Sequence, residues 1–269
     1  MSNKLYNILV PVDFTTKNKW AIAKAIELSN SFHCNIHLVH VRSSANTLFR
    51  SDNNAEKSLR KLRRLKSMYK TQLCGEGKIE ISLLTGNRQK QLSNYINQYE
   101  MDLVIAGLSK FNVLQRVISS VSISRLAKKT NVPVLAIRSG GLICHFKKIV
   151  LPVSGEIPIR QIRLAALLGR AFKSTVYFVS LRQHADNKHQ QIIDKALEIV
   201  QSISIIPVQC FLLEGKNLAK STLEFSRKIN ADLIMINPIK DFRLPGLWNR
   251  ITNKLLSYGS RIPVLTVKG

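Results

Sequence analysis

Few side chains in this 269-residue sequence have the type and spacing for covalent chemistry. The six histidines (His33, His37, His40, His145, His184, His189) include no H-E-x-x-H pair and no site-like pairing with Asp or Cys. His37 and His40 lie in the second apolar run and stand either beside a cleft or as strand-end and surface residues. The four cysteines, Cys34, Cys74, Cys144 and Cys210, lack the short spacings of thiol-redox or zinc sites and read as reduced, mostly packed thiols. No G-x-S-x-G nucleophile elbow occurs. With no evidence for an enzyme and no metal-ligand spacing, the chemistry to look for is binding. Two features invite it: the carboxylate Asp13 at the end of an apolar run, and 41 Lys+Arg against 16 Asp+Glu, a net charge of +25.

The elements that position Asp13 occur twice. Ile8-Leu-Val-Pro-Val-Asp13 returns as Ile149-Val-Leu-Pro-Val-Ser154. Met101-Asp-Leu-Val-Ile-Ala-Gly107 returns as Ala231-Asp-Leu-Ile-Met-Ile-Asn237, and Val132-Pro-Val-Leu-Ala-Ile137 as Ile262-Pro-Val-Leu-Thr-Val267. The first pair is offset by 141 residues and the other two by 130, so the second copy is eleven residues shorter in its middle. The Gly140-Gly141 pair breaks any regular element and marks the join, giving domains 1–140 and 146–269. Each is long enough to bury a core.

In the first copy, short apolar runs at 8–12, 35–41, 79–84, 103–106 and 134–137 read as strands. Helical patterns fall between them: 19–32, a long polar helix, one opened by Gly86-Asn87 that carries Leu92, Tyr95, Ile96 and Tyr99, and one near 114–129. Continuous rather than alternating apolar strands imply burial on both faces, as in parallel sheets covered by helices. The fold class is therefore α/β, with two tandem doubly wound domains of five mostly parallel strands each. Such sheets bind ligands beyond the carboxyl ends of their strands, at the point where strand order reverses. That rule selects Asp13, Val41 and Gly107.

The three repeated landmarks resemble those of the universal stress protein family, here as a tandem two-domain member. The resemblance covers nearly the whole chain and implies a Rossmann-like fold of the adenine nucleotide alpha hydrolase type. Nucleotide-binding members carry G-x2-G-x9-G-[ST] after the fourth strand, where backbone N–H groups and a helix N-terminus hold ATP phosphates. Their first-strand Asp and the end of their second strand contact the adenosine. Asp13, Val41 and Gly107 match that pattern, but Lys110 and Ser120 occupy the next two glycine positions and Val121 follows where a hydroxyl is expected. In the second copy Ser154 replaces the Asp, and Asn237, Lys240 and Arg250 take all three glycine positions. Glycine serves there because phosphate must approach the backbone closely and because some positions need φ > 0. The expectation is a non-catalytic stress-response protein with degenerate nucleotide sites; the alternative is ATP or another adenine nucleotide bound in the first domain. Lys110 and Lys240 share one motif position. They are either solvated loop cations or, with Arg250, side-chain ligands for a smaller or different anion.

The positive charge is spread over both copies, and its densest run is 57–70. Seven cations (Lys57, Arg60, Lys61, Arg63, Arg64, Lys66, Lys70) stand there without a carboxylate, while Leu59, Leu62, Leu65 and Tyr69 recur at helical spacing. This predicts an amphipathic helix with a basic outer face, either merely solvated or facing a polyanion, a nucleic acid, an acidic protein or an acidic membrane surface. No base-reading motif accompanies it. The family resemblance further implies that the two domains pair as an internal pseudo-dimer through their last strands, 134–137 and 264–267, with a homodimer also open. No apolar leader or membrane-length run is present, so a cytoplasmic location is expected.

Overall fold

The computed structural model describes residues 4–43, 51–108, 123–138, 145–153, 157–182, 187–203, 206–237 and 262–268. The chain divides into two compact units, one spanning Lys4–Ile143 and the other containing Cys144–Gly269.

The first unit runs β1 (Asn7–Pro11), α1 (Lys17–Phe32), β2 (Asn35–Arg42), α2 (Ser51–Lys70), β3 (Ile79–Thr85), α3 (Arg88–Gln98), β4 (Leu103–Leu108), α4 (Ile123–Thr130) and β5 (Val134–Arg138). Its strands lie in the order β3-β2-β1-β4-β5, with every neighbouring pair parallel. Ile8, Leu9 and Val10 have no exposed surface at all, because helices cover both faces of the central strand. Helix α1 packs Ala21, Ile22, Ala25 and Leu28 inward and ends at His33, whose φ of 53° breaks the helix in the left-handed region. Asn87 caps α3, its side chain accepting the Lys90 N–H at 3.0 Å, so the predicted helix start is correct.

The second unit repeats the plan: β6 (Lys148–Pro152), α5 (Ile159–Phe172), β7 (Thr175–Leu181), α6 (Asn187–Ile203), β8 (Val208–Leu213), α7 (Leu218–Lys228), β9 (Leu233–Ile236) and β10 (Val264–Thr266). Strand order is β10-β9-β6-β7-β8, again parallel. Val150, Val179, Leu223, Ile234 and Val264 form the core between sheet and α7.

The repeated aspartate has a structural task in both units. Asp102 Oδ2 accepts the N–H groups of Tyr6 (2.7 Å) and Asn7 (3.0 Å), tying the amino end of β1 to that of β4. Asp232 Oδ2 accepts the Lys148 N–H at 2.9 Å and does the same for β6 and β9. Asn217 likewise caps α7 on the Lys220 N–H. Register also locates the shortening. Ile36 sits opposite Ile79, whereas the equivalent Val176 sits opposite Val208, so the eleven residues are lost between those strands, where the first unit carries α2.

Three sequence expectations change. β2 extends to Arg42, which makes Val41 a buried ladder residue opposite Leu84 rather than the strand's last residue. The cysteines are not mostly packed: Cys34 is buried, but Cys74 and Cys210 are exposed and Cys144 lies outside the described residues. Burial pushes the Cys34 thiol up to about 12, so it is an inert packed group. His37 is neither at the surface nor in the cleft. It is buried, with Nδ1 3.0 Å from the Tyr95 hydroxyl, which in turn lies 2.9 Å from Ser82 Oγ. Of the last helix expected in this unit, only α4 falls within the described residues.

Candidate functional site

In the first unit strand order reverses between β1 and β4, because β1 pairs with β2 on one side and β4 on the other. Asp13 and Gly107 therefore stand on either side of the switch point, as the sequence rule requires. The first turn of α1 lies between them. Lys17 Nζ forms an ion pair with Asp13 Oδ2 at 2.6 Å, and both side chains are less than a quarter exposed. Asp13 Oδ1 accepts from the Thr15 hydroxyl at 2.6 Å and the Thr15 N–H at 3.1 Å. Burial by itself would push the Asp13 carboxyl up. Hydrogen bonds from Lys17 and Thr15, with the lysine's charge, outweigh it and hold the group below the usual carboxylate range.

Lys17 also explains Gly107. A β carbon on Gly107 would collide with the Lys17 carbonyl, whose carbon atom would lie only 2.9 Å away. The backbone of α1 thus rests against the strand at a place that only glycine leaves open. Close approach is the reason for glycine here, not an unusual φ, and the group that approaches is the protein's own carbonyl.

The loop between β1 and α1 is held from within. Asn18, 4% exposed, accepts the N–H groups of Asp13 (3.0 Å) and Thr15 (3.2 Å) and donates to the Pro11 carbonyl at 3.2 Å. These three bonds hold Phe14 at a φ of 60°, rare for a bulky side chain. The Phe14 ring lies 4.5 Å from that of His40, and Lys61 of α2 places its ammonium over the Phe14 ring, 5.2 Å from the centroid. His40 Nδ1 donates to the Val12 carbonyl at 2.7 Å. Burial, aided by the charges of Arg88 and Arg42, keeps this imidazole below its ordinary pKa, against the opposing effects of Val12 and Asp13.

Of the positions selected from sequence, Asp13 and Gly107 are brought together, and Val41 is buried two strands away from Gly107. Lys110, Ser120, Ser154, Lys240 and Arg250 lie outside the described residues. Asn237 directly follows β9, at the equivalent switch point of the second unit. There the chain entering α5 carries Ile157 and Pro158 in place of the lysine. Arg160 and Gln161 instead bind the carbonyls of Lys268 (2.9 Å) and Val267 (3.0 Å), anchoring the chain after β10. Sequence reading missed Lys17, Asn18 and Phe14. The one signal for Lys17 was its position four residues after an acid at a helix start.

The universal stress protein family model matches residues 5–138, nearly the whole of the first copy. The chain belongs to the universal stress protein family. Its structure is similar over its full length to a universal stress protein from Archaeoglobus fulgidus, with a TM-score of 0.78, 12% identity, and 99% of this chain and 97% of that one covered. A universal stress protein from Pseudomonas aeruginosa matches with a TM-score of 0.58 at 14% identity, covering 99% and 94%. The cytoplasmic domain of a prokaryotic cation chloride cotransporter shares the fold, with a TM-score of 0.56, 12% identity and coverage of 98% and 96%. No curated protein sequence matches. At these identities the likeness is one of fold. No described helix is long and apolar enough to cross a membrane. Among the described residues no three His, Cys, Asp or Glu side chains gather as a metal site needs.

Proposed function

We propose that the chain is a non-catalytic binding or regulatory member of its family, in which the nucleotide cleft of the first domain is degenerate and that of the second more so. The observation that carries this reading is the double engagement of Lys17, whose ammonium occupies Asp13 and whose carbonyl occupies the space beside Gly107. An adenosine would have to break the ion pair and the Thr15 bonds to reach that carboxylate. A carboxylate held below its usual pKa is also a poor general base near neutral pH, which argues against hydrolysis. Lysine and serine at positions 110 and 120 deprive a phosphate cradle of its glycines. The link to stress rests on family membership, and the cytoplasmic location on the unpaired cysteines Cys34, Cys74 and Cys210. The tandem organisation supports pairing of the two domains within one chain, with a homodimer of the intact 30.4 kDa protein also open.

Calorimetric titration of the intact protein with ATP, AMP and polyphosphate tests the reading, together with mass spectrometry of small molecules that co-purify. The expected result is an empty protein and no heat with ATP or AMP. Adenine nucleotide retained through purification overturns it. Heat with polyphosphate alone, lost in Lys110→Ala and Lys240→Ala, assigns those lysines to an anion other than an adenine nucleotide.

A further inference from the structure

Helix α2 has a positional counterpart in the shorter second copy, α6, but differs from it in charge. Over its 20 residues α2 extends about 30 Å. Leu62 and Tyr69 are buried against the sheet and fix its orientation, leaving Lys57, Arg60, Lys61, Arg63, Arg64 and Lys70 on the exposed face. From residue 54 to the helix end the only carboxylate is Glu56, which lies 3.7 Å from Arg63 and 4.0 Å from Arg60. Lys66 leans to Glu80 of β3 at 3.7 Å. Lys57, Lys61, Arg64 and Lys70 have no ion pair among the described residues. The first three recur at i, i+4 and i+7 and form one row.

The second copy is an internal control for the bland reading of a solvated helix in a basic protein. Helix α6 follows β7 as α2 follows β2, yet it carries Lys188 and Lys195 against Asp194 and Glu198, with no net charge. A helix at this place in the fold therefore does not need seven cations, and the run in α2 is a property of the first copy alone.

We propose that the exposed face of α2 binds the phosphate backbone of duplex nucleic acid, without reading sequence. The row of Lys57, Lys61 and Arg64 rises about 10 Å, comparable with the roughly 7 Å of duplex axis covered by three successive phosphates of one strand at an axial rise of about 3.4 Å each. Single strands are a poorer fit because, among the described residues, no exposed ring flanks the row: Tyr69 is buried, and Phe14 is half-buried and already in contact with His40 and Lys61. A membrane is a poorer fit because the helix's apolar side is already used against the sheet. The net +25 of the chain favours a long polyanion over a short acidic peptide. Duplex binding by α2 does not depend on whether the nucleotide cleft is occupied.

The test is fluorescence anisotropy of the intact protein with a labelled mixed-sequence DNA duplex, titrated across a range of salt. The triple variant Lys57→Gln, Lys61→Gln, Arg64→Gln is compared with Lys195→Gln, Lys216→Gln, Lys228→Gln, which removes the same charge from exposed positions of the second copy. The α2 variant is expected to lower the log–log salt slope by about 2.7 and the affinity roughly 100-fold at physiological salt, while the control variant changes little. All six positions are exposed, and unchanged circular dichroism confirms folding. Equal loss in both variants, or no duplex binding by wild type, overturns the proposal. So does polyglutamate, an anionic lipid vesicle or single-stranded DNA that binds as tightly as duplex at equal charge.

Discussion

Lys17 touches Asp13 with its side chain and Gly107 with its backbone, so one residue closes the switch point of the first domain from both sides. Asp13 and Gly107 are the positions that best match the family's nucleotide pattern, and in this chain both are engaged by the start of α1. The packing of helix on strand and the state of the cleft are therefore a single physical question.

Gly107→Ala is expected to destabilise the protein by about 1–3 kcal/mol, because the added methyl meets a helix backbone that cannot rotate away. Thermal unfolding should show the drop without any ligand present. An unchanged melting temperature would mean that α1 can shift outward at no cost and that the glycine is not there for packing.

The pH dependence of Asp13 has a definite sign. Its folded-state pKa is depressed, so its contribution to stability is fully present above the unfolded carboxylate range and is lost as pH falls through the folded value. Asp13→Asn should therefore be less stable than wild type at pH 7, with the gap closing on acidification. Denaturant titrations at neutral and acidic pH check this, and Lys17→Met should mimic the neutral-pH loss.

His37 and His40 act at higher pH. Burial lowers both, so the unfolded chain binds protons first and stability falls as pH drops below the ordinary imidazole value near 6.5. Melting temperature should decline between pH 7.5 and 5.5, and the decline should be shallower in His37→Gln. A parallel pH profile in that variant would show that the Tyr95–His37 contact does not couple to folding.

The two repeated aspartates differ in load. Asp102 accepts two backbone N–H groups and Asp232 is bonded to one. A hydrogen bond to a charged group is worth about 1.5–3 kcal/mol, so Asp102→Ala should cost more than Asp232→Ala. Chemical denaturation of the two variants gives the comparison directly.

Much of the fold could be read in advance, because it depends on local pattern. Apolar runs of strand length repeat in order, Asn87 begins a helix as expected, and the basic run of residues 57–70 forms the amphipathic helix its spacing predicts. The errors occurred where a residue's surroundings come from distant parts of the chain. His37 read as a strand-end or cleft histidine because its partners, Tyr95 and Ser82, are supplied by α3 and β3. Cys74 and Cys210 read as packed because composition does not distinguish an edge or a turn from a core.

By itself, then, the sequence determined the α/β class, the tandem repeat, the approximate element boundaries and the strand ends at which a ligand site belongs. Periodicity and chain order carry that information. Only the tertiary structure decided what fills that site. Residues 17 and 107 are brought into contact by the crossover that places α1 against β4, and no local pattern records that contact. The same holds for the charge: the sequence supplied the cations of α2, but the burial of Leu62 and Tyr69 decided which of them face outward together.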